Sequence, residues 1–312
     1  MKVIYGIGNL SKGPKTPKVI AVGVFDGVHR GHQMILRRVV RQAKKEKAHA
    51  AVLTFSFHPS CAFMPCQKVP HLTSLEQKLA LIEKEGIDYC YVLDFNKAFA
   101  AIPAEHFVET LLIKKLKVTT LYIGEDFVFG KKARGDRNLL KKLSRQYHFD
   151  LHVLKRLRLK RRIVSSTLVR QLVKRGRLDQ ARYLLGRPVS IFGHVVRGEG
   201  RGEKLGFPTA NIRPDHDVLV SDGIYAARAS WNNRRFKSVV YIGTKPTFHK
   251  KTNDRSIEVF LFGVRKNLYG QKMEVCLIKK VRNDRPFSSA QALVIQIKKD
   301  VIAAQKILEN FS

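Results

Sequence analysis

The sequence predicts an α/β fold with a mostly parallel sheet, followed by a small antiparallel β-barrel with a closing helix. The chain has 312 residues, about the length of two domains. Strand-like and helix-like patterns alternate up to residue 185, which is typical of βαβ units. From residue 186 onward, short strand patterns follow one another between Gly, Pro and Asn turns, which favours a barrel. We therefore expect one domain at 1–185 and a second at 186–312.

In the first part, apolar runs predict buried strands and amphipathic repeats predict helices. The first strand is predicted at 19–25, and the helix that follows at 32–47 carries Ile35, Val39 and Ala43 on one face. The further strands are predicted at 50–55, 89–93, 121–123 and 151–154, and the further helices at 75–85, 104–116 and 138–147. Parallel sheets bind ligands at the carboxyl ends of their strands, so a site is expected there.

In the second part, the sequence Leu-Gly-Arg-Pro at 185–188 marks the change of pattern. Strands are predicted at 190–196, 223–229, 236–242, 256–262 and 271–278, and the closing helix at 288–308. No internal repeat or low-complexity segment interrupts them.

Composition restricts the class of protein. Hydrophobic residues make up 44% of the chain, enough for an ordinary core, which excludes wholesale disorder. The four cysteines form no CxxC pair and are too few for a disulfide scaffold, as in a reducing cytoplasm. The longest apolar runs fall short of the roughly 20 residues of a membrane-spanning helix, and the N-terminal segment lacks the apolar core of a signal peptide. We expect a cytoplasmic protein with no membrane partner.

A glycine-rich decapeptide, GVFDGVHRGH at 23–32, joins the first predicted strand to the first predicted helix. Its glycines allow close backbone approach, and the new helix offers N–H groups and a positive dipole end to a phosphate. His29 and His32 are three residues apart, so both can face one side and donate to a triphosphate or to charge at an attacked phosphorus. Two surface histidines beside a turn are the plainer alternative, and the complete ten-residue string argues against it. The candidate nucleotide-binding residues in this segment are Gly23, Phe25, Asp26, Gly27 and Gly31, with His29 and His32 as catalytic candidates.

Three other segments give weaker signals for the same site. Ser166 or Thr167 suits a helix N-cap, with Arg170 in the following turn; this suits phosphates, although an ordinary capped helix has the same pattern. Asp126 follows a predicted strand and can hold a ribose, an adenine or a metal, or act only in a turn. His58 ends another predicted strand, where a phosphate contact and a structural role are equally compatible with the sequence.

The strongest signal of the second part is the segment at 193–211, with five glycines followed by Phe-Pro-Thr-Ala-Asn. Such a loop can approach a nucleotide closely, and basic side chains within it can meet the nucleotide's charge. In an extended strand, Thr209 and Asn211 project to the same face, and their oxygens suit Mg²⁺ that also holds substrate phosphates. A glycine-rich hairpin with two turn-capping side chains explains the pattern about as well. The candidate ATP-binding residues in the loop are Gly198, Gly200, Gly202 and Lys204.

Together these motifs resemble the bacterial bifunctional riboflavin kinase/FAD synthetase family over essentially the whole chain. The family carries GxFDGxHxGH and SSTxxR, found here at 23–32 and 165–170, and a kinase signature ending in PTAN, found here at 208–211. The resemblance implies a Rossmann-like nucleotidyltransferase domain that makes FAD from FMN and ATP, and a riboflavin kinase barrel that makes FMN. The chain departs from the usual family pattern at four positions: Phe57, Val128, Phe260 and Gly263.

The resemblance also implies roles for individual residues. The positions that inherit nucleotide handling in the first domain are His29, His32, Asp126, Ser166, Thr167 and Arg170. By the same resemblance, Thr209 and Asn211 are expected to bind Mg-ATP, and Glu258 is expected to activate the riboflavin 5′-hydroxyl. A carboxylate suits that role, because it can accept a proton as the hydroxyl attacks the γ-phosphorus.

The large positive charge leaves two other hypotheses. Lys and Arg outnumber Asp and Glu by 59 to 25, a net charge of +34, and seventeen Lys or Arg lie between residues 131 and 177. Such a patch suits nucleic acid, or simply a solvated surface beside an ATP site, and the absence of zinc-ligand spacing or an RNP-type motif makes nucleic-acid binding the less favoured choice. A nucleotidyltransferase for another small phosphate is the other alternative, against which the PTAN segment argues. The sequence carries no signal for oligomeric state.

Overall fold

The computed structural model of the chain describes residues 1–57, 69–198, 200–217, 220–244, 255–264 and 266–311, with Arg201, Lys204 and Thr244 described by their backbone alone. By their contacts, these residues form two compact units. The first comprises the described part of 1–166 without 72–74, and the second comprises 72–74 and the described residues from 167 onward.

The first unit contains a parallel six-stranded sheet with the strand order β1-β4-β3-β2-β5-β6. The strands are β1 Lys2–Tyr5, β2 Lys18–Val22, β3 His49–Phe55, β4 Tyr89–Leu93, β5 Val118–Gly124 and β6 Asp150–Leu154. The predicted parallel sheet is therefore confirmed, and β1 is an edge strand that the sequence analysis did not predict. A short antiparallel hairpin follows, formed by β7 Arg158–Leu159 and β8 Arg162–Ile163.

Helices connect these strands. They are α1 Arg30–Glu46, α2 Leu75–Lys84, α3 Lys97–Ala100, α4 Ala104–His106, which continues as a wider π-helical segment over Phe107–Lys115, and α5 Arg137–Tyr147. Successive residues of a strand point to opposite faces of the sheet, so one run of apolar residues supplies two cores. In β2, Ile20 and Val22 join the core that contains the π-helical segment, whereas Val19 and Ala21 join the core that contains α1. Helices on both faces explain why β2 is apolar throughout.

The first predicted strand is too long and the first predicted helix begins too late. β2 ends at Val22, because Phe25 adopts φ 53° and ψ 27°, a left-handed conformation that a strand cannot contain. The helix α1 begins at Arg30 rather than at residue 32, with His29 as its N-cap. The site segment therefore lies in a turn between the two elements.

The second unit is built on a closed antiparallel barrel with the strand order β10-β13-β12-β11-β14-β9. Its strands are β9 Val189–Val196, β10 Ala210–Pro214, β11 Gly223–Trp231, β12 Arg234–Thr244, β13 Arg255–Leu261 and β14 Lys272–Arg282. The predicted barrel is confirmed, and its sixth strand, β10, which was not predicted, begins at Ala210 within the Thr-Ala-Asn segment. Alternating burial in β9 reflects one face packed in the barrel and the other outside it.

The described residues of the second unit include the helices α6 Ser166–Lys174, which begins at the last residue of the first unit, α7 Leu178–Leu185, the short α8 Arg201–Lys204 and the closing helix α9 Ala290–Glu309. The helix α9 contacts β11, β12 and β14. Its buried Asp300 accepts hydrogen bonds of 2.8–3.0 Å from the Arg282 guanidinium on β14. This charged pair fixes the helix on the outside of the barrel.

The helix α7 contacts β9 and β14, so its contacts group it with the barrel. The change of pattern at 185–188 predicted instead that these residues would end the first domain. The functional boundary at residue 186 stays a prediction.

Candidate active sites

The first candidate site lies at the topological switch point of the parallel sheet, between the neighbouring strands β2 and β5. From β2 the chain proceeds to β3 and β4 on one side, and later to β5 and β6 on the other. Ligands bind outside the carboxyl ends of the strands at such a switch point. Residues 23–32 follow β2 and residues 125–130 follow β5, the two strands that flank it. Two of the predicted motifs therefore share the edge where a ligand is expected.

The turn at 23–29 reverses the chain with three left-handed residues. Their φ angles are 53° at Phe25, 75° at Gly27 and 37° at Val28. The Phe25 ring is buried, and a Cβ on Gly23 would lie 3.1 Å from it. Gly23 therefore provides room for the Phe25 ring, and Gly27 adopts its positive φ without the strain that a side chain would add.

The two histidines of the motif are stacked. Their ring centroids are 3.6 Å apart, with 16° between the ring planes. The Nδ1 atom of His29 accepts a hydrogen bond of 3.3 Å from the backbone N–H of His32, which makes His29 the N-cap of α1. A Cβ on Gly31 would lie 3.2 Å from the His29 ring, so glycine leaves the space that this ring occupies. The prediction that both histidines face one side is confirmed.

The second motif contacts the first through its serine. Ser166 is the first residue of α6, and its hydroxyl donates a hydrogen bond of 2.9 Å to the carbonyl oxygen of Asp26. The hydroxyl thus bonds to the turn, and the N-cap role expected of Ser166 or Thr167 stays a prediction. Thr167 and Arg170 lie within the first five residues of the same helix. Asp26 itself is buried, with 4% of its surface exposed.

Asp126 lies in the turn after β5 and is held by Arg156, which follows the end of β6. Its carboxylate receives a 2.9 Å hydrogen bond from the Arg156 guanidinium, and the neighbouring Glu125 accepts one of 3.2 Å from the Arg156 backbone N–H. The carboxylate is largely exposed, so a ligand can reach it. His58 and the side chain of Lys204 lie outside the described residues.

A buried lysine that the sequence analysis did not consider also lies at this edge. Lys78 of α2 is 6% exposed, and its ammonium donates to the Phe55 carbonyl oxygen at 2.5 Å and to the Val24 carbonyl oxygen at 3.3 Å. Burial lowers the pKa of Lys78 to about 8, against the opposing attraction of Asp26. A lysine in an amphipathic helix normally faces solvent, so its spacing alone gave no signal. The signal available was its position on the same helical face as buried Ile82.

The second candidate site is a row of residues across neighbouring barrel strands. Asn211 of β10 pairs with Val196 of β9 on one side and with Glu258 of β13 on the other, and Glu258 in turn pairs with Tyr241 of β12. Residues paired in this way share one face of a sheet. The structure therefore brings the predicted asparagine and glutamate together, from segments that are 47 residues apart in the chain.

Hydroxyl groups orient the glutamate. Thr209 donates to Glu258 Oε2 at 3.3 Å, and Ser256 donates to Glu258 Oε1 at 3.2 Å. With one donor on each oxygen, the carboxylate is held in one orientation while lone pairs remain on both atoms. Three predicted residues thus form one oxygen-rich cluster: Thr209, Asn211 and Glu258.

The glycine loop lies directly against this cluster. A Cβ on Gly198 would lie 2.0 Å from Asn211 Nδ2, and a Cβ on Gly202 would lie 2.5 Å from the Phe207 carbonyl oxygen and 3.0 Å from Thr209 Oγ1. Only glycine permits so close an approach at these two positions. A Cβ on Gly200 would meet nothing within 4 Å. The backbone there has φ +69°, however, a conformation that also favours glycine.

Aromatic side chains lie beside the cluster. The Phe260 ring contacts Phe207 edge to face, with 5.6 Å between centroids. Tyr241 donates a 3.1 Å hydrogen bond to Asp284, and burial together with that carboxylate raises the pKa of Tyr241 to about 12. Gly263 follows β13 with φ +73°. Phe260 lies two residues after Glu258 on β13, so the two side chains project to the same face of the strand.

Two features are absent from the part of the chain that is described: a cluster of metal-binding side chains and a membrane-spanning helix. No group of three or more His, Cys, Asp and Glu side chains there is arranged to hold a metal ion. None of the helices in those residues is long and apolar enough to cross a membrane.

Two family models match separate parts of the chain. The family model for FAD synthetase matches residues 11–168, and the family model for riboflavin kinase matches residues 185–308. These two matches lend no support to the nucleic-acid hypothesis.

Curated relatives match the whole chain. The "Bifunctional riboflavin kinase/FMN adenylyltransferase" of Buchnera aphidicola subsp. Schizaphis graminum is 38% identical over 309 residues, which covers 98% of each chain. The protein of the same name from Escherichia coli K12 is 36% identical over 307 residues, covering 98% of this chain and 97% of that one.

A solved structure shares the fold. The crystal structure described as a macrolide-efflux protein from Streptococcus pneumoniae matches with a TM-score of 0.86 and 27% identity, covering 98% of this chain and 99% of that one. On these motifs, folds and full-length matches, the chain belongs to the bifunctional riboflavin kinase/FMN adenylyltransferase family.

Proposed function

We propose that this chain phosphorylates riboflavin to FMN at the barrel site and then adenylylates FMN to FAD at the edge of the parallel sheet. Each reaction consumes one ATP, and the second releases pyrophosphate. The observation that carries the proposal is the presence of two complete motif clusters on two separate folds, each matched by its own family model.

In the adenylyl transfer, a phosphate oxygen of FMN attacks the α-phosphorus of ATP, and the bond to the pyrophosphate oxygen breaks. Negative charge accumulates on the phosphoryl oxygens at the transition state. The stacked pair of His29 and His32 lies at the N-terminus of α1, where imidazole donors and helix N–H groups can stabilise that charge. We assign Ser166, Thr167 and Arg170 to the nucleotide through the match of 165–170 with the family motif, and Asp126 to the nucleotide through its position after β5.

In the kinase reaction, the 5′-hydroxyl of riboflavin attacks the γ-phosphorus of ATP, and ADP leaves. Glu258 is the proposed general base, because its carboxylate is oriented by two hydroxyls and retains lone pairs for the substrate proton. The glycine loop provides the surface for the ATP phosphates. The neighbouring rings of Phe207 and Phe260 provide an apolar wall for the flavin.

The residues of the barrel site fit a magnesium ion. Mg²⁺ prefers oxygen ligands and commonly takes only one or two from the protein, the rest coming from water and substrate phosphates. The Thr209 hydroxyl and the Asn211 amide oxygen would hold it, and the glycine at 198 leaves free the space beside Asn211 that a Cβ would fill. When bound, the ion neutralises charge on the phosphates. The cytoplasmic location expected from the sequence stays a prediction.

The direct test is to incubate the purified protein with riboflavin, ATP and Mg²⁺ and to separate the flavins by chromatography. FMN should appear first and FAD later, and supplied FMN should give FAD with one pyrophosphate per FAD. Failure of a folded protein to make either flavin would contradict the proposal. Omission of Mg²⁺, with EDTA present, should stop both steps.

A further inference from the structure

We infer that Lys78 is a positioning residue for adenylyl transfer, which acts by fixing the turn at 23–29 against the end of β3. The inference rests on the proposed assignment of that turn to the ATP site.

The two acceptors of Lys78 belong to the two backbone segments that border the site. Val24 lies within the glycine-rich motif, and Phe55 is the last residue of β3. One ammonium therefore joins two backbone segments that are 31 residues apart in the chain. A charged donor makes such bonds stronger than a neutral one does.

The Val24 carbonyl is also the point where the turn begins. The peptide group that contains this carbonyl is planar and includes the nitrogen of Phe25, the first left-handed residue. Hydrogen bonds to the Val24 oxygen therefore fix the orientation of the peptide plane at the start of the turn. Thr54 donates a second hydrogen bond to the same oxygen, at 3.0 Å. Two donors on one carbonyl hold the start of a turn whose residues Phe25 and Val28 adopt strained left-handed conformations.

The charge of Lys78 has an additional partner in the turn. Asp26 is buried and attracts the ammonium, and its own carbonyl oxygen accepts the hydrogen bond from Ser166. The lysine thus acts on both sides of Phe25, through the backbone at residue 24 and through charge at residue 26. His29 and His32 follow directly, so a shift of the turn moves both donors away from the attacked phosphorus.

A matched control is present at the start of β2, the strand that leads into the glycine-rich motif. Lys18, at the amino end of β2, is 1% exposed and donates to the carbonyl oxygens of Pro14 at 2.5 Å and Thr16 at 3.0 Å. Burial lowers its pKa to about 8, as it does for Lys78. Lys18 is therefore buried and hydrogen-bonded as Lys78 is, but it lies at the amino end of β2, whereas the motif follows the carboxyl end.

The experiment compares Lys78→Met with Lys18→Met in the full chain, measuring kcat and KM for FMN adenylylation, riboflavin phosphorylation and the thermal midpoint. Displacement of catalytic groups by about 1 Å can cost on the order of 10²-fold in rate. We expect Lys78→Met to lower kcat for FAD formation by about 10- to 100-fold, with riboflavin phosphorylation unchanged within about twofold. Lys18→Met should leave both values of kcat within about twofold of the unsubstituted protein.

Thr54→Val adds a second variant that removes the other donor to Val24 without changing charge. Its effect on kcat should combine non-additively with that of Lys78→Met, because both act on one oxygen. Additive effects, unchanged FAD formation in folded Lys78→Met, or equal loss of both activities would overturn the inference. If His32→Ala also leaves FAD formation intact, the site assignment itself is wrong; if only Lys78→Met is silent, the role of Lys78 alone is wrong.

Discussion

The hydroxyl of Ser166 and the carbonyl oxygen of Asp26 are joined by a 2.9 Å hydrogen bond across 140 residues of sequence. This bond connects the glycine-rich motif to the first residue of the SSTxxR helix. Two motifs that lie far apart in the sequence are therefore joined at the turn that leads to His29 and His32.

His32→Ala should abolish most FAD formation and allow FMN to accumulate. Loss of one donor to transition-state charge typically costs about 10²–10³ in rate. The measurement is chromatography of flavins formed from riboflavin and ATP. His49→Ala is the matched control, because His49 lies at the amino end of β3, away from the motif. Equal loss of both activities in a folded protein would contradict the assignment.

Glu258→Gln should lower riboflavin phosphorylation by about 10²–10⁴-fold, since the amide keeps the size of the side chain but cannot accept the proton. Supplied FMN should still be converted to FAD. Glu274→Gln provides a comparison, because Glu274 is another barrel carboxylate that accepts a serine hydrogen bond, here from Ser190 at 2.8 Å. Near-normal kinase activity in the Glu258 variant would remove it from the mechanism.

Gly198→Ala should impair the kinase more than Gly200→Ala does. A Cβ at residue 198 would lie 2.0 Å from Asn211 Nδ2, whereas one at residue 200 meets nothing within 4 Å. The second substitution carries only the conformational cost of a positive φ, about 1–2 kcal/mol. Steady-state kinetics at varied ATP would show the difference chiefly in KM for ATP. Equal effects would indicate that the loop does not approach Asn211 in the working enzyme.

Adenylyl transfer and stability should change in opposite directions as the pH rises above about 8. Burial lowers the pKa of Lys78 to about 8, from an ordinary 10.5, while Asp26 and the Cys90 thiol act to raise it. The folded chain thus loses the proton near pH 8 and the unfolded chain near 10.5. Between these values the unfolded chain binds more protons, so the free energy of unfolding rises with pH. The charge on Lys78 disappears over the same range, so kcat for FAD formation should fall.

Profiles of kcat and of the thermal midpoint against pH check this prediction. Lys78→Met should show a lower kcat without the alkaline decrease, and riboflavin phosphorylation serves as the internal reference. An alkaline decrease that persists in the variant would assign it to another group.

Fragments test the position of the boundary. The helix α7 buries Leu178, Ala181, Leu184 and Leu185, and exposing a buried leucine costs about 1.5–3 kcal/mol. A fragment of residues 167–312 should therefore melt at a higher temperature than one of residues 186–312, and both should make FMN but no FAD. Equal melting temperatures would show that α7 contributes nothing to the barrel. A fragment of residues 1–185 should convert FMN to FAD and leave riboflavin unchanged.

Local pattern predicted the regular elements well. The runs around Val19 and Val52 are apolar throughout because helices cover both faces of the sheet, and such runs are recognisable without knowledge of the fold. The spacing of His29 and His32 predicted that they share a side, and their stacked rings confirm it. The edge strand β1 was not predicted, because only one of its four residues, Ile4, is buried and the strand lacks a run of buried apolar residues.

Relationships between distant segments could not be predicted in this way. The bonds of Lys78 to Val24 and Phe55 depend on tertiary packing, because the helical spacing of Lys78 to Ile82 indicates a shared face of α2 but not the groups that this face meets. The contact between Ser166 and Asp26 is of the same kind. The cross-strand pairing of Asn211 with Glu258 depends on barrel register, which is set by strands that are not consecutive in the chain.

Closure of the barrel has a consequence for the timing of the kinase reaction. In a ring of six strands every strand is paired on both sides, so the pairing of Asn211 with Glu258 cannot slip unless several ladders break together. The relative position of these two groups is therefore established when the chain folds, before any nucleotide arrives. Substrate binding then has to order only the ligands and the glycine loop, and the free energy of binding remains available for alignment of the transferred phosphoryl group.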